Sequence, residues 1–321
     1  MRNSADRRVI AIATGIALLI GACAAAAPAS PPPPEAYTAF APVELKVMGQ
    51  PDWLAAGFGS IWVKREDGMV SRIDPATATI TAEIEADTTS PENCNGIGVG
   101  ADGIWSCSFQ DLVRLDPETN QVDATFPAGK VHGQGRLVGA AGRIWVLAGQ
   151  GDQLVGLAEA DGSLSAPITL PAVCNDLGAA ADIVYVVCDA AGRVLRVDPA
   201  SATVTADVSI PGPAGVSAAP SGVWVAGRDG LRRLDPTSLA TTLTVDGVVA
   251  GWLEGIDADE TGVWVRRFDP FLTRIDAATG AQTRVISAPF ENGGDVLVDG
   301  DHLWVSDPAN VVLRLDVPPG P

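Results

Sequence analysis

The side chains best able to do chemistry in this 321-residue chain are five cysteines, two histidines, and a set of carboxylates and arginines that recur at fixed spacing. Cys94 lies 11 residues before Trp105 and Cys107 lies 2 after it; Cys174 lies 11 before Tyr185 and Cys188 lies 3 after it. Equivalent places around two aromatics imply one device used twice, a disulfide joining neighbouring strands as Cys94–Cys107 and as Cys174–Cys188. A metal reading would need four thiolates converging from separate repeats, which an export signal disfavours. His132 and His302 are the histidines. No Gly-x-Ser-x-Gly, His-Glu-x-x-His or phosphate loop accompanies them, and Asp257-Ala258-Asp259-Glu260 lacks the remaining ligands of a calcium loop. No catalytic residue and no resident metal are therefore assigned.

Two other clusters suggest binding. One is Arg266-Arg267-Phe268-Asp269-Pro270 with Trp252-Leu253-Glu254 upstream; the other runs from Lys130 through His132 to Arg136. Arginine forks and an aromatic plane can hold an anionic or flat group. The competing reading pairs Arg266 or Arg267 internally with Glu254 or Asp269.

These residues are positioned by a repeat. An aromatic recurs at Trp62, Trp105, Trp145, Tyr185, Trp224, Trp264 and Trp304, in steps of 43, 40, 40, 39, 40 and 40 residues. An aspartate follows 11 to 13 residues later in every copy except the third, which has Ala158. Within a copy, short strand signals alternate with glycine and Asp-Pro turns, and no long amphipathic helical stretch appears after residue 40. In copy five the strands fall at 215–219, 223–226, 231–234 and 241–245. Four antiparallel strands make a blade, and seven blades predict an all-β, seven-bladed propeller over residues 37–321. The aromatic on each second strand is expected to pack against the next blade. The Asp-Pro aspartates are expected to be turn acceptors. Copy seven has no room for a fourth strand, so 43–47 should complete that last blade and close the ring.

Aligned on the aromatic, the positions entering the innermost strands are Asp52, Asn95, Gly135, Asn175, Ala214, Glu254 and Gly294. The next positions are Trp53, Gly96, Arg136, Asp176, Gly215, Gly255 and Asp295. This polar, irregular mouth of the central channel is the expected ligand site. Its candidates are Trp53, Asn95, His132, Arg136, Asn175, Trp252, Glu254, Arg266 and Arg267.

Residues 1–22 carry Arg2, Arg7 and Arg8, an apolar run from Val9 to Ile20, and then small residues, the pattern of a secretory signal peptide. Ile20-Gly21-Ala22-Cys23 resembles a bacterial lipobox, which implies lipidation at Cys23. Residues 23–36, rich in alanine and proline, are expected to form an extended spacer off the membrane. Without residues 1–22 the chain has 18 basic and 38 acidic residues, a field that repels nucleic acid.

The motifs GSIWV, DGIWS, GRIWV and TGVWV, followed by RIDP or RLDP, resemble the streptogramin (virginiamycin B) lyase-like and YncE (YVTN-repeat) propeller group. The resemblance spans about residues 43–317. It implies this scaffold and leaves function open, because such propellers host lyases and binding proteins alike. The lyases of the group imply Mg²⁺ and paired histidines. His302 lies next to the turn between first and second strands and should sit on the face opposite His132, so the pair is not assembled. The expectation is an exported, lipid-anchored monomeric propeller in the cell envelope that binds a small molecule or envelope protein without a cofactor; the alternative is a Mg²⁺-dependent C–O lyase.

Thiol titration of the unreduced, unfolded mature chain should detect no free thiol. One reactive thiol would argue against acylation of Cys23, and two or more would overturn the pairing.

Overall fold

The computed structural model describes residues 30–87, 96–108, 110–129, 131–132, 135–251, 255–290 and 292–318. The signal segment, Cys23, Cys94, Asn95, Trp252 and Glu254 lie outside them. The described strands form seven antiparallel sheets in radial sequence, each with four strands from its own blade. Blade 5 shows the pattern, with Pro213–Ala219 innermost, then Gly222–Gly227, Gly230–Leu234 and Thr241–Val245. Its register runs Val216 opposite Val225 and Val223 opposite Leu234.

Ring closure falls where the sequence puts it. Val43–Lys46 pairs antiparallel with Val311–Asp316, Val43 opposite Arg314 and Lys46 opposite Val311, and so supplies the outer strand of blade 7. The chain before it is also engaged. Glu35–Ala36, placed by sequence at the end of the spacer, adds a short parallel fifth strand to Gln282–Ser287 of blade 6. The stretch between them buries Phe40 at the seam of blades 6 and 7.

The apolar core is divided into clusters between blades. Trp224 packs with Ile256, Val263, Val265 and Ile275 of blade 6. Trp145 packs with Leu177, Val184 and Leu195 of blade 4, and Trp304 with Leu54, Ile61 and Ile73 of blade 1. Each repeated aromatic thus faces the following blade. Burying a ring of this size removes roughly 150–250 Å² from water, about 4–6 kcal/mol at ~25 cal/mol per Å². Cys174–Cys188 is a disulfide, and Cys107 is also disulfide-bonded.

The turn aspartates behave as turn acceptors. Asp74 Oδ1 accepts from the amides of Ala76 and Thr77 at 2.8 and 3.0 Å, and Asp235 Oδ1 from Thr237 and Ser238 at 3.1 and 2.8 Å. These amide bonds hold both carboxyls below the ordinary range.

The arginine two positions before this aspartate has a role that the sequence reading did not assign. Arg196 donates to Pro236 O at 3.0 Å, Arg314 to Pro75 O at 3.1 Å, and Arg72 and Arg233 to Pro117 O and Ala277 O. Each latches a third strand onto the turn of the next blade. Around blade 3 the latch fails: Arg114 turns to Asp123 of its own blade at 2.8 Å, and blade 3 carries Ala158 where the other blades have the turn aspartate. Gly156 stands at the arginine position of blade 3, where a Cβ would lie 2.8 Å from the Trp145 ring.

Arg314→Ala leaves two turn carbonyls without their donor and should lower stability by about 1–2 kcal/mol, whereas Arg114→Ala, losing a half-exposed pair, should cost less than ~1 kcal/mol. Chemical denaturation of both variants decides it; equal losses would sink the latch.

Candidate functional site

Four of the seven aligned positions nine residues before the aromatic meet in the central channel. Arg136, entering blade 3, spans it. Nη2 donates to Asp295 Oδ1 of blade 7 at 2.6 Å and to Ile256 O of blade 6 at 3.2 Å. Nη1 donates to Asp176 Oδ2 of blade 4 at 3.4 Å and to Val216 O of blade 5 at 3.3 Å. The guanidinium also lies over the Trp53 ring of blade 1, 4.7 Å from its centroid. Glycine at the equivalent places in blades 5 and 6 makes this reach possible. A Cβ on Gly255 would stand 2.4 Å from Asp295 Oδ1.

The carboxylates clip neighbouring inner strands together. Asp176 Oδ2 accepts from Val216 N at 3.0 Å, Asp295 Oδ2 from Leu54 N at 3.1 Å, and Asp257 Oδ2 from Val298 N at 2.8 Å. Burial raises all three carboxyl pKa values, with Asp257 at about 6. Burial, then the nearby Asp295 charge, pushes Asp52 to about 7. Arg136 opposes each of these shifts.

A cleft of about 280 Å³ opens beside this network, lined by Trp53, His132, Val173, Asn175, Asp176 and Arg228 among others. Asp176 is 2% exposed, and its Oδ1 has no hydrogen-bond partner. Asn175 is committed to structure: its Nδ2 donates to Ala214 O at 3.2 Å and its Oδ1 accepts from Asp189 N at 2.9 Å. Arg228 Nη2 donates to Asp189 Oδ2 at 2.8 Å. A second hollow, about 460 Å³, shares Arg228 and is lined by Val249, Gly251, Arg267, Phe268 and Asp269.

The sequence-derived candidates divide accordingly. Trp53, His132 and Asn175 share the first cleft, and Arg136 packs on Trp53 at its base. Arg267 borders the second hollow but donates Nε to Val249 O at 2.9 Å. Arg266 is not at the mouth. It is 0% exposed, stacked 4.2 Å from the Phe271 centroid, and turned to the blade 7 seam, where Nη2 meets Asn292 O at 2.6 Å and Asp307 Oδ2 at 3.4 Å. Among the described residues its carboxylate contact is Asp307; Glu254, the other partner expected from the sequence, lies outside them. Asp176, Asp189, Asp257 and Arg228 were not singled out as candidates. Asp176 occupied an aligned channel position, and that was a usable signal; Asp189 and Arg228 lie in loops with no repeated mark.

His302 lines a small pocket at the turn end of blades 6 and 7, with Nδ1 3.0 Å from Asp316 Oδ1, away from the cleft that His132 lines. The described residues contain no group of three or more His, Cys, Asp or Glu placed to hold a metal ion. The resemblance implied Mg²⁺ with paired histidines; His132 and His302 do not meet, and the channel carboxylates of Asp176, Asp257 and Asp295 each give one oxygen to a backbone amide.

No protein-family model and no curated protein matches the sequence. Among solved structures, a catalytically inactive histidine-to-alanine variant of virginiamycin B lyase from Staphylococcus aureus with quinupristin matches with TM-score 0.73 and 14% identity, over 86% of this chain and 99% of that one. The selenomethionine form of the same lyase gives 0.67 and 14%, over the same shares. The Pan2 WD40 domain of Neurospora crassa gives 0.71 and 9%, over 85% and 90%. These likenesses establish the seven-bladed scaffold.

Arg136→Met leaves the channel carboxyls without their shared cation. A carboxyl whose folded pKa is raised contributes stability below its unfolded pKa, near 4, and loses it as pH rises through the folded value. The variant should therefore be about 3–5 kcal/mol less stable at pH 8 and close to the parent near pH 4. Denaturant titrations at both pH values test this; equal deficits would contradict the role given to Arg136.

Proposed function

We propose that this protein is an exported, lipid-anchored ligand-binding propeller whose ligand lies across the channel mouth over blades 4 to 6. The observation that carries this reading is the pair of hollows joined at Arg228, rimmed by exposed apolar side chains. Val173 is 49% exposed, Phe268 44% and Val249 38%, and all three line these hollows. Concave, partly apolar surface with a few directed polar groups is the ordinary form of a small-molecule site. The first cleft lies on fixed elements, held by the disulfide at Cys174 and the Asn175 clamp, so little ordering cost attends binding. Export is supported by the disulfide and by residues 1–22, and the anchor by Cys23 in its lipobox-like setting.

The lyase alternative draws on the repeat motifs and on the structural likeness. Against it stands the separation of the two histidines. The binding reading is preferred.

A thermal-shift screen of a fragment collection against the mature chain tests it. Val173→Trp fills the first cleft from an exposed position and should abolish the shifts given by most hits. Phe58→Trp, at an exposed turn position on the opposite face, should leave them intact. Hits indifferent to Val173→Trp would place the site elsewhere.

A further inference from the structure

The first cleft has an imbalance of charge that specifies a ligand class. Asp176, Asp189 and Arg228 line it, and Asp52, Asp257 and Asp295 interact with Arg136 beside it. Arg136 donates to two carboxylates and two carbonyls, and Arg228, exposed at the rim, is paired with Asp189 through Nη2. Five carboxyls thus stand against two guanidiniums, each already answered by a carboxylate. Two buried atoms on side chains that line the cleft lack a partner, the acceptor Asp176 Oδ1, on a side chain 2% exposed, and the donor Trp53 Nε1; only the first carries charge. A buried acceptor without a donor is costly, and a ligand that supplies the donor recovers that cost. A charged donor recovers more, because the surrounding field is negative.

Resting on the binding role proposed above, we infer that the cleft takes an organic ligand through a protonated amine or a similar cationic nitrogen directed at Asp176, with its apolar remainder against Trp53, Val173 and Ala214. A divalent cation is a poorer occupant. The second oxygens of Asp176, Asp257 and Asp295 are held by backbone amides, and a hard cation needs six or more oxygens around it. One indole face of Trp53 is covered by Arg136, which leaves the edge and the other face for contact. The cleft volume, about 280 Å³, suits a ligand of modest size.

The test is calorimetric titration of the full mature chain with three probes that share a ring and differ in charge: tryptamine, the neutral alcohol tryptophol, and indole-3-propionate. Tryptamine should bind at least tenfold more tightly than tryptophol, and indole-3-propionate should bind more weakly than either. Asp176→Asn, which still accepts from Val216 N and Arg136, should lower tryptamine affinity tenfold or more and leave tryptophol unchanged. Tryptamine affinity should also rise from pH 5 to pH 8. Asp52 and Asp257 shed protons in that range, which makes the field around Asp176 more negative. If Asp176→Asn does not fold, Val173→Lys sets a fixed ammonium at the exposed rim and should weaken tryptamine selectively. Equal binding of amine and alcohol, preference for the acid, or no tryptamine binding at millimolar concentration would each overturn the ligand class. A calcium titration giving tighter, Asp176-dependent binding than tryptamine would do the same. In those cases fragment hits that remain sensitive to Val173→Trp preserve the cleft; loss of that sensitivity removes the broader reading instead.

Discussion

A single guanidinium at the axis sets the conditions for the rest of the molecule. Arg136 touches blades 4, 5, 6 and 7 by hydrogen bonds and blade 1 through Trp53, while its backbone belongs to the entry of blade 3. A propeller of seven similar sheets has a hole where inner strands converge, and inner strands that meet across it cannot all pair with one another. Here the hole is filled by one cation surrounded by carboxylates that staple adjacent inner strands. Such a network is favourable only while every charge is answered, since an isolated buried carboxylate costs several kcal/mol. The raised pKa values of Asp52, Asp176, Asp257 and Asp295 show that one cation only partly offsets the burial of several acids.

The periphery solves a different problem with the same residue type. Arginines at 72, 196, 233 and 314 carry each third strand to the next blade's turn, in step with aromatic packing one layer inward. The series is interrupted on both sides of blade 3 and at the seam of blades 6 and 7, where Arg274 bonds Asp259 of its own blade at 3.0 Å. That last seam is covered instead from outside, by the chain from Glu35 to Phe40, with Arg284 over the Phe40 ring at 5.3 Å. Closure of the ring therefore rests on the N-terminal segment twice, as the outer strand of blade 7 and as a strap on blade 6.

Much of this was legible in the repeat. A forty-residue period with one aromatic per copy and a turn aspartate in all copies but the third determines blade number, strand order and the closing strand, because each element must bury its face against its sequence neighbour. The disulfide at Cys174 and Cys188 followed from matching positions around an aromatic. The site was legible only where it lay on the repeat register: Trp53, Arg136, Asp176 and Asp295 share one aligned position, and the structure joins them. Arg266 was misplaced because loop position alone suggested exposure. Its direction is set by Asp307, 41 residues on, and by Phe271, partners that no local pattern announces. Asp189 and Arg228 belong to loops of adjacent blades and meet only through three-dimensional curvature.

The charge balance of the chain bears on why conspicuous arginines are engaged within the fold. With 21 basic residues against 39 acidic ones, an arginine on this chain meets carboxylates and carbonyls at short range long before a ligand arrives. The structure satisfies them one after another: Arg65 with Asp67 and Glu83, Arg193 with Asp207, Arg232 with Asp229, Arg266 with Asp307. What remains in excess is negative charge. Near the surface that excess is solvated and carries no information, but at the base of a cleft it is desolvated and becomes specific. Asp176 is where these two conditions coincide, a carboxylate fixed on one oxygen by the fold and buried without a partner on the other. On an acidic scaffold of this kind the cations mark where the blades are tied together, and under the proposed binding role the buried acceptor, rather than the arginines, would set the ligand chemistry.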